Sequence, residues 1–150
     1  MRTSRFPTRA ARDLEGARRR VPDDLDGEPR VLLVAFDRFQ QSTVNAWVAA
    51  LEGERRRAPG MRIYEIPTIG TQWRWARPFI DGTMVAAIPD EDVRRRTLTI
   101  YAPVAPILRA LGLADRSEVC AVVLAPDGSV RARAVGAPTP ESLRALVEAL

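Results

Sequence analysis

This chain has few residues able to do covalent chemistry. It contains no histidine, the commonest general base and metal ligand. It has one cysteine, Cys120, which rules out an internal disulfide and a multi-cysteine zinc site. Cys120 stands in Glu118-Val119-Cys120-Ala121-Val122-Val123-Leu124, an apolar run with no flanking base. A thiol there is expected to be a buried, inert small side chain. A peroxidatic or redox-sensing role would need it exposed in an electropositive pocket. The second candidate is Gln40-Gln41-Ser42-Thr43, between an apolar run and a helical pattern. Its amides and hydroxyls cannot form the low-pKa thiolate that thiol–disulfide exchange requires. Ser42 or Thr43 could cap the helix, or the helix start could hold an anion through its backbone N–H groups. No glycine-rich phosphate loop or catalytic serine signature is present. Asp90-Glu91-Asp92 lacks the glycine pattern of a calcium loop and reads as a helix start, where acids suit the dipole. No metal and no cofactor are expected.

A binding segment is easier to nominate. Thr71 to Ile80 gathers Trp73, Trp75, Arg77, Pro78, Phe79 and Ile80 within ten residues, the residue types enriched at interface hot spots. Alternating tryptophan and arginine also suits a membrane–water boundary. The competing reading has Trp73, Arg77 and Ile80 packed across the sheet. The expected partner is a protein, such as a subunit of a membrane complex, with a peripheral membrane contact. Arg55-Arg56-Arg57 and Arg94-Arg95-Arg96 lack interleaved aromatics, and Asp90-Glu91-Asp92 sits beside the second run, so they read as solvated loops and nucleic acid is not expected as a partner.

Regular elements begin at Arg30. Val31 to Phe36 is a continuous apolar strand of the kind covered on both faces. A helix follows over about Gln41 to Gly53, then an alternating strand from Met61 to Ile66 that Pro67 should stop. Thr68 to Asp92 is a long connection with broken helical stretches. Thr97 to Tyr101 is a third strand, and Val104 to Leu113 a helix with Gly112 near its end. Val119 to Leu124 and Ser129 to Val135 form a hairpin around Pro126-Asp127-Gly128. Thr139 caps a last helix, with Pro140 in its first position and Leu143, Leu146, Val147 and Leu150 in one stripe.

At 150 residues the chain fits one domain, and nearly half of those residues are hydrophobic, so it is a folding sequence. All 23 basic residues are arginine, a usage that fits GC-rich bacterial coding, and the net charge is +4. Residues 1–29 are charge-dense with little hydrophobic period. They are expected to be a flexible or partly helical arm, with a short helix across Thr8 to Arg20, ahead of a domain at 30–150. Nothing reads as a signal peptide or a transmembrane helix, so a cytoplasmic location is expected, with peripheral contact at the inner membrane face.

The order β-α-β-α-β-α-β-β-α from Val31 to Leu150 resembles the thioredoxin/peroxiredoxin-like superfamily. That resemblance implies an α/β fold with a mixed, about five-stranded sheet flanked by helices, here with an N-terminal extension. Redox members carry Cys-x-x-Cys where this chain has Gln40 to Thr43. They also place a cis-proline before the hairpin's first strand, where this chain has Val119. The resemblance therefore implies a vestigial active site at Gln40, Gln41, Ser42, Thr43 and Val119, with both cysteines and the proline missing together. More narrowly, the same region is similar to the mitochondrial ATP-synthase assembly-factor family (Atp-ten type). The matching residues are Phe36-x-x-Phe39-x-x-x-x-Val44-x-x-Trp47, Tyr64-Glu65-Ile66, Arg77-Pro78-Phe79-Ile80, Ile88-Pro89 and Gly112-Leu113. That similarity implies a chaperone-like factor for the membrane sector of ATP synthase, redox-inactive and without catalysis. The rival readings are a divergent peroxiredoxin-like thiol enzyme using Cys120, chemistry centred on Thr43, and a small-molecule or anion binder beside Gln40.

Overall fold

The computed structural model describes residues 4–70, 84 and 90–150. Its centre is a seven-stranded sheet in the order β2-β1-β5-β4-β3-β6-β7. The strands are β1 (Arg9–Asp13), β2 (Arg18–Val21), β3 (Arg30–Ala35), β4 (Arg62–Ile69), β5 (Leu98–Tyr101), β6 (Cys120–Leu124) and β7 (Val130–Val135). The helices are α1 (Gln41–Glu52), α2 (Glu91–Arg95), α3 (Val104–Leu111) and α4 (Pro140–Val147), with a 3-10 turn at Arg38–Gln40 before α1. From β3 onward the order is the one expected from sequence, with two strands added ahead of it. The β3–β4 and β4–β5 pairs are parallel, while β3–β6 and β6–β7 are antiparallel.

The continuous apolar strands sort their residues by a two-residue period into two cores. Leu32, Val34, Cys120, Val122 and Leu124 face one side, with Ile107 and Leu111 of α3. Val31, Leu33, Ala121 and Val123 face the other, under Val44, Trp47 and Leu51 of α1 and Leu146 of α4. Caps match the local sequence. Asp90 accepts hydrogen bonds from the Asp92 and Val93 N–H groups, Thr139 and Ser142 form a capping box, and α3 ends at Gly112 in the left-handed conformation. Among the described residues no helix is long and apolar enough to cross a membrane.

Two sequence expectations fail for identifiable reasons. In place of the flexible or partly helical arm, residues 9–13 and 18–21 form an antiparallel hairpin that joins the sheet through β5. Phe6, Ala11, Val21 and Leu25 enter the same core as Leu32, an apolar set too sparse along the chain to register as a period. The arm is further fastened by the buried Arg30, which donates to the carbonyls of Pro22 (2.7 Å), Ala125 (2.7 Å) and Pro126 (3.2 Å). Tyr64 Oη likewise donates to the Asp26 carbonyl at 2.8 Å.

Pro67 does not stop β4, which runs on to Ile69. The Glu65 N–H bonds to the Arg96 carbonyl, so the nitrogen of residue 67 also faces the β5 side. The β3 ladder stays unbroken through the Ala35–Pro67 pair. On the other side, pairing lapses between the Glu65–Thr97 bridge and the Thr68–Ile100 pair. The missing donor affects one flank of the strand and spares the other.

Candidate functional site

The β3–α1 junction is where the polar run Gln40 to Thr43 meets the carboxyl end of the sheet. Asp37 accepts a hydrogen bond from the Phe39 N–H at 2.8 Å and starts the 3-10 turn. Gln40 follows as the N-cap of α1, without a side-chain bond to the helix, so neither Ser42 nor Thr43 caps it. The Gln40 amide clamps two loops instead. Its Oε1 accepts from the Phe36 N–H at 2.7 Å, and its Nε2 donates to the Arg116 carbonyl at 3.0 Å. These bonds hold the β3–α1 loop against the segment that leads into β6.

Between those loops lies an open groove of about 410 Å³. Gln40, Thr43 and Val119 line it, together with Phe39, Glu118 and Gly136. Its far wall is set by a short relay. Trp47 Nε1 donates to the Gly136 carbonyl and the Gly136 N–H donates to the Val119 carbonyl, both at 2.8 Å. Gly136 has a φ of +85°, and a Cβ there would come within 3.0 Å of a Glu118 carboxylate oxygen, so glycine is required. Phe39 stands at the rim with 78% of its surface exposed, and the Arg38 guanidinium lies 4.9 Å above its ring.

Three of the expected vestigial-site residues, Gln40, Thr43 and Val119, are thus brought together. Gln41 and Ser42 are not. The Gln41 amide is turned away to Asn45 Oδ1 (2.9 Å) and Glu65 Oε1 (3.1 Å), and Ser42 is exposed outside the groove. Trp73, Trp75, Arg77, Pro78, Phe79 and Ile80 lie outside the described residues. Sequence reasoning missed Asp37, Phe39, Arg116, Ser117, Glu118, Gly136 and Ala137 as groove residues. Ser117 and Glu118 directly precede Val119, so adjacency was the available signal; the part played by Gly136 depends on contacts made across the fold.

Cys120 begins β6 one residue past the groove, but its side chain turns into the α3-side core and is fully buried. Burial pushes the thiol up to about 11, opposed weakly by the nearby Arg133. Such a thiol carries little thiolate at neutral pH. Thr43 would need a base to take its proton; the chain has no histidine, and the carboxylate residues that line the groove with it are Asp37 and Glu118. The groove offers shape, an exposed aromatic rim, backbone polar groups and the charged residues Asp37, Arg116 and Glu118. The arginine runs are largely paired: Arg55 with Glu52 (2.7 Å), Arg57 with Glu54 (3.2 Å), Arg95 with Glu91 (2.6 Å) and Arg96 with Asp92 (3.2 Å).

No family model matches the sequence, and none of the curated proteins matches it. Solved structures do. A protein of Aquifex aeolicus VF5 assigned to electron transfer superposes with a TM-score of 0.67 at 14% identity, over 100% of this chain and 99% of that one. BsSco, a member of the Sco family of cytochrome c oxidase assembly proteins, gives 0.65 at 12% identity over 98% and 94%. The exposed lipoprotein thioredoxin of Streptococcus pneumoniae strain TIGR4 gives 0.61 at 10% identity over 96% and 100%. At these identities the likeness concerns the fold. It supports the broad resemblance read from sequence and lends nothing to the narrower ATP-synthase assembly-factor one. The chain has a thioredoxin-like fold.

Proposed function

We propose that the chain is a binding protein on a thioredoxin-like scaffold, without thiol–disulfide chemistry, that assists assembly of a membrane complex such as ATP synthase. The observation that carries the binding reading is the groove at the start of α1, open and rimmed by the exposed Phe39, with Gln40 and Thr43 where a thiol pair would act. Gln40 spends its amide on holding loops together, and the buried Cys120 is a poor nucleophile. The assembly reading rests on the short family-like motifs, from Phe36 to Trp47 and at Tyr64-Glu65-Ile66. BsSco, of the same fold, is itself named as a member of a family of cytochrome c oxidase assembly proteins. The stretch from Trp73 to Ile80 belongs to the proposal on composition alone.

Reduction of insulin disulfides and turnover of hydroperoxide should stay at the no-protein blank. Turnover above it that Cys120→Ser abolishes would overturn the redox-inactive reading. Wild-type protein should retain membrane-sector subunits of ATP synthase from detergent-solubilised native membranes. Phe39→Ala should lose about ten-fold in that retention with its Tm unchanged, since an exposed aromatic anchor acts at the interface and not in the core. Equal retention by both proteins would remove the groove from the proposal, and no retention by either would remove the partner.

A further inference from the structure

The N-terminal hairpin carries a second concavity, towards the other end of the sheet from the Gln40 groove and sharing no lining residue with it. Its volume is about 430 Å³, and Ala10, Arg12, Arg18, Arg20, Thr99 and Tyr101 line it. Strand register explains why they converge. Arg12 is the cross-strand partner of Arg18 on β2 and of Thr99 on β5. Paired residues share a face, and the two-residue period adds Ala10, Arg20 and Tyr101 to it. Three guanidinium-bearing side chains therefore project from one face, with small and aromatic residues between them.

Like charges set opposite one another in a sheet are destabilising. Some arginines elsewhere in the chain are offset by carboxylates, as in Arg19 with Asp13, Arg95 with Glu91 and Arg131 with Glu28. The side chains of Arg12, Arg18 and Arg20 have no such partner among the described residues. Asp24 also borders the groove, but its Oδ2 accepts the Arg20 backbone N–H at 2.7 Å. The Asp24 N–H in turn donates to the Arg20 carbonyl at 2.8 Å. These two bonds use up the outward backbone groups of Arg20 and block an added strand there, which argues against an extended acidic peptide pairing along β2.

We infer that this groove binds a small polyanion bearing phosphate groups. Guanidinium groups match phosphate oxygens with paired hydrogen bonds. A concavity of this size suits a ligand on the scale of a nucleoside polyphosphate, with Ala10 and Tyr101 as surface for its organic part.

Titration calorimetry on the full chain with ATP and with inorganic tripolyphosphate tests this. Both should bind, more weakly as salt rises. Arg12→Gln and Arg18→Gln should each weaken binding about ten-fold, the effect of losing one charge-assisted contact. The triple Gln variant at 12, 18 and 20 should abolish it while keeping or raising Tm, since repulsion is relieved. Arg56→Gln, at an exposed arginine outside the groove, should change nothing. Tighter binding of ATP than of tripolyphosphate would support contacts to the organic part; equal binding would support recognition of phosphate alone. The inference is overturned if neither compound binds, if the single variants bind as wild type does, or if only phosphatidylglycerol vesicles bind.

Discussion

The two flanks of the sheet are built on opposite plans. Towards β6, both faces are covered: α3 lies on one side, α1 and α4 on the other, and every residue of β6 is buried. Towards β2, one face of the hairpin seals the core with Ala11 and Val21 while the other carries Arg12, Arg18 and Arg20. The buried flank holds the cysteine away from solvent, with its thiol pKa raised. The half-covered flank keeps charged side chains at the surface, where they are available to a ligand. In this fold the chemistry available to a side chain follows how many faces of its strand are covered.

Removing one flank is the severest test of that contrast. A chain starting at Arg30 loses β1, β2 and the buried Phe6, Val21 and Leu25. It uncovers Leu98 and Ile100 on β5, removes one of the three carbonyls that Arg30 donates to (Pro22), and deprives Tyr64 of its Asp26 acceptor. Differential scanning calorimetry should register a Tm lower by more than ~10 °C, the scale of several kcal/mol in a domain this size. A change of only a few degrees would mean the hairpin is an appendage to a core that stands without it.

A smaller effect is expected at the loop clamp. Gln40→Ala leaves the Phe36 N–H and the Arg116 carbonyl without their partner, which should cost about 1–3 kcal/mol in urea denaturation. A cost below about 0.5 kcal/mol would show that packing alone holds the groove open.

The smallest effect concerns the buried flank and pH. The Cys120 thiol is raised from 9.0 to about 11 in the folded protein, so above pH 9 the unfolded chain gives up its proton first. The stability this thiol contributes is intact below pH 9 and falls as pH rises towards 11, by about 1 kcal/mol at pH 10. Cys120→Ala should flatten that part of the profile. Tyr64, raised by burial from 10.0, adds a loss at higher pH in both proteins. Equal slopes in the two proteins between pH 9 and 10 would mean that Cys120 is hydrated.

Legibility in the sequence follows the same division. Val31 to Val34 and Cys120 to Leu124 announce strands because covering both faces demands unbroken apolar residues. Thr139-Pro140 and Gly112 announce a helix start and a helix end through local backbone chemistry. Arg9 to Val21 announces nothing, because a strand with one charged face and few buried side chains resembles a solvated arm. At the groove, the absence of thiols at Gln40 and Thr43 was plain from residue type. That Gln41 turns away to Glu65 was not, since a side chain's direction depends on partners distant in sequence.

Residue types and their spacing alone determined the α/β order from β3 to α4, the want of a thiolate pair and the burial of Cys120, all of which rest on short-range periodicity and composition. The tertiary structure alone decided that the N-terminal segment is part of the sheet, that β4 continues through Pro67, and that three arginines share one concave face. Each of those depends on which strand lies alongside, and pairing across tens of residues leaves no local mark in the chain.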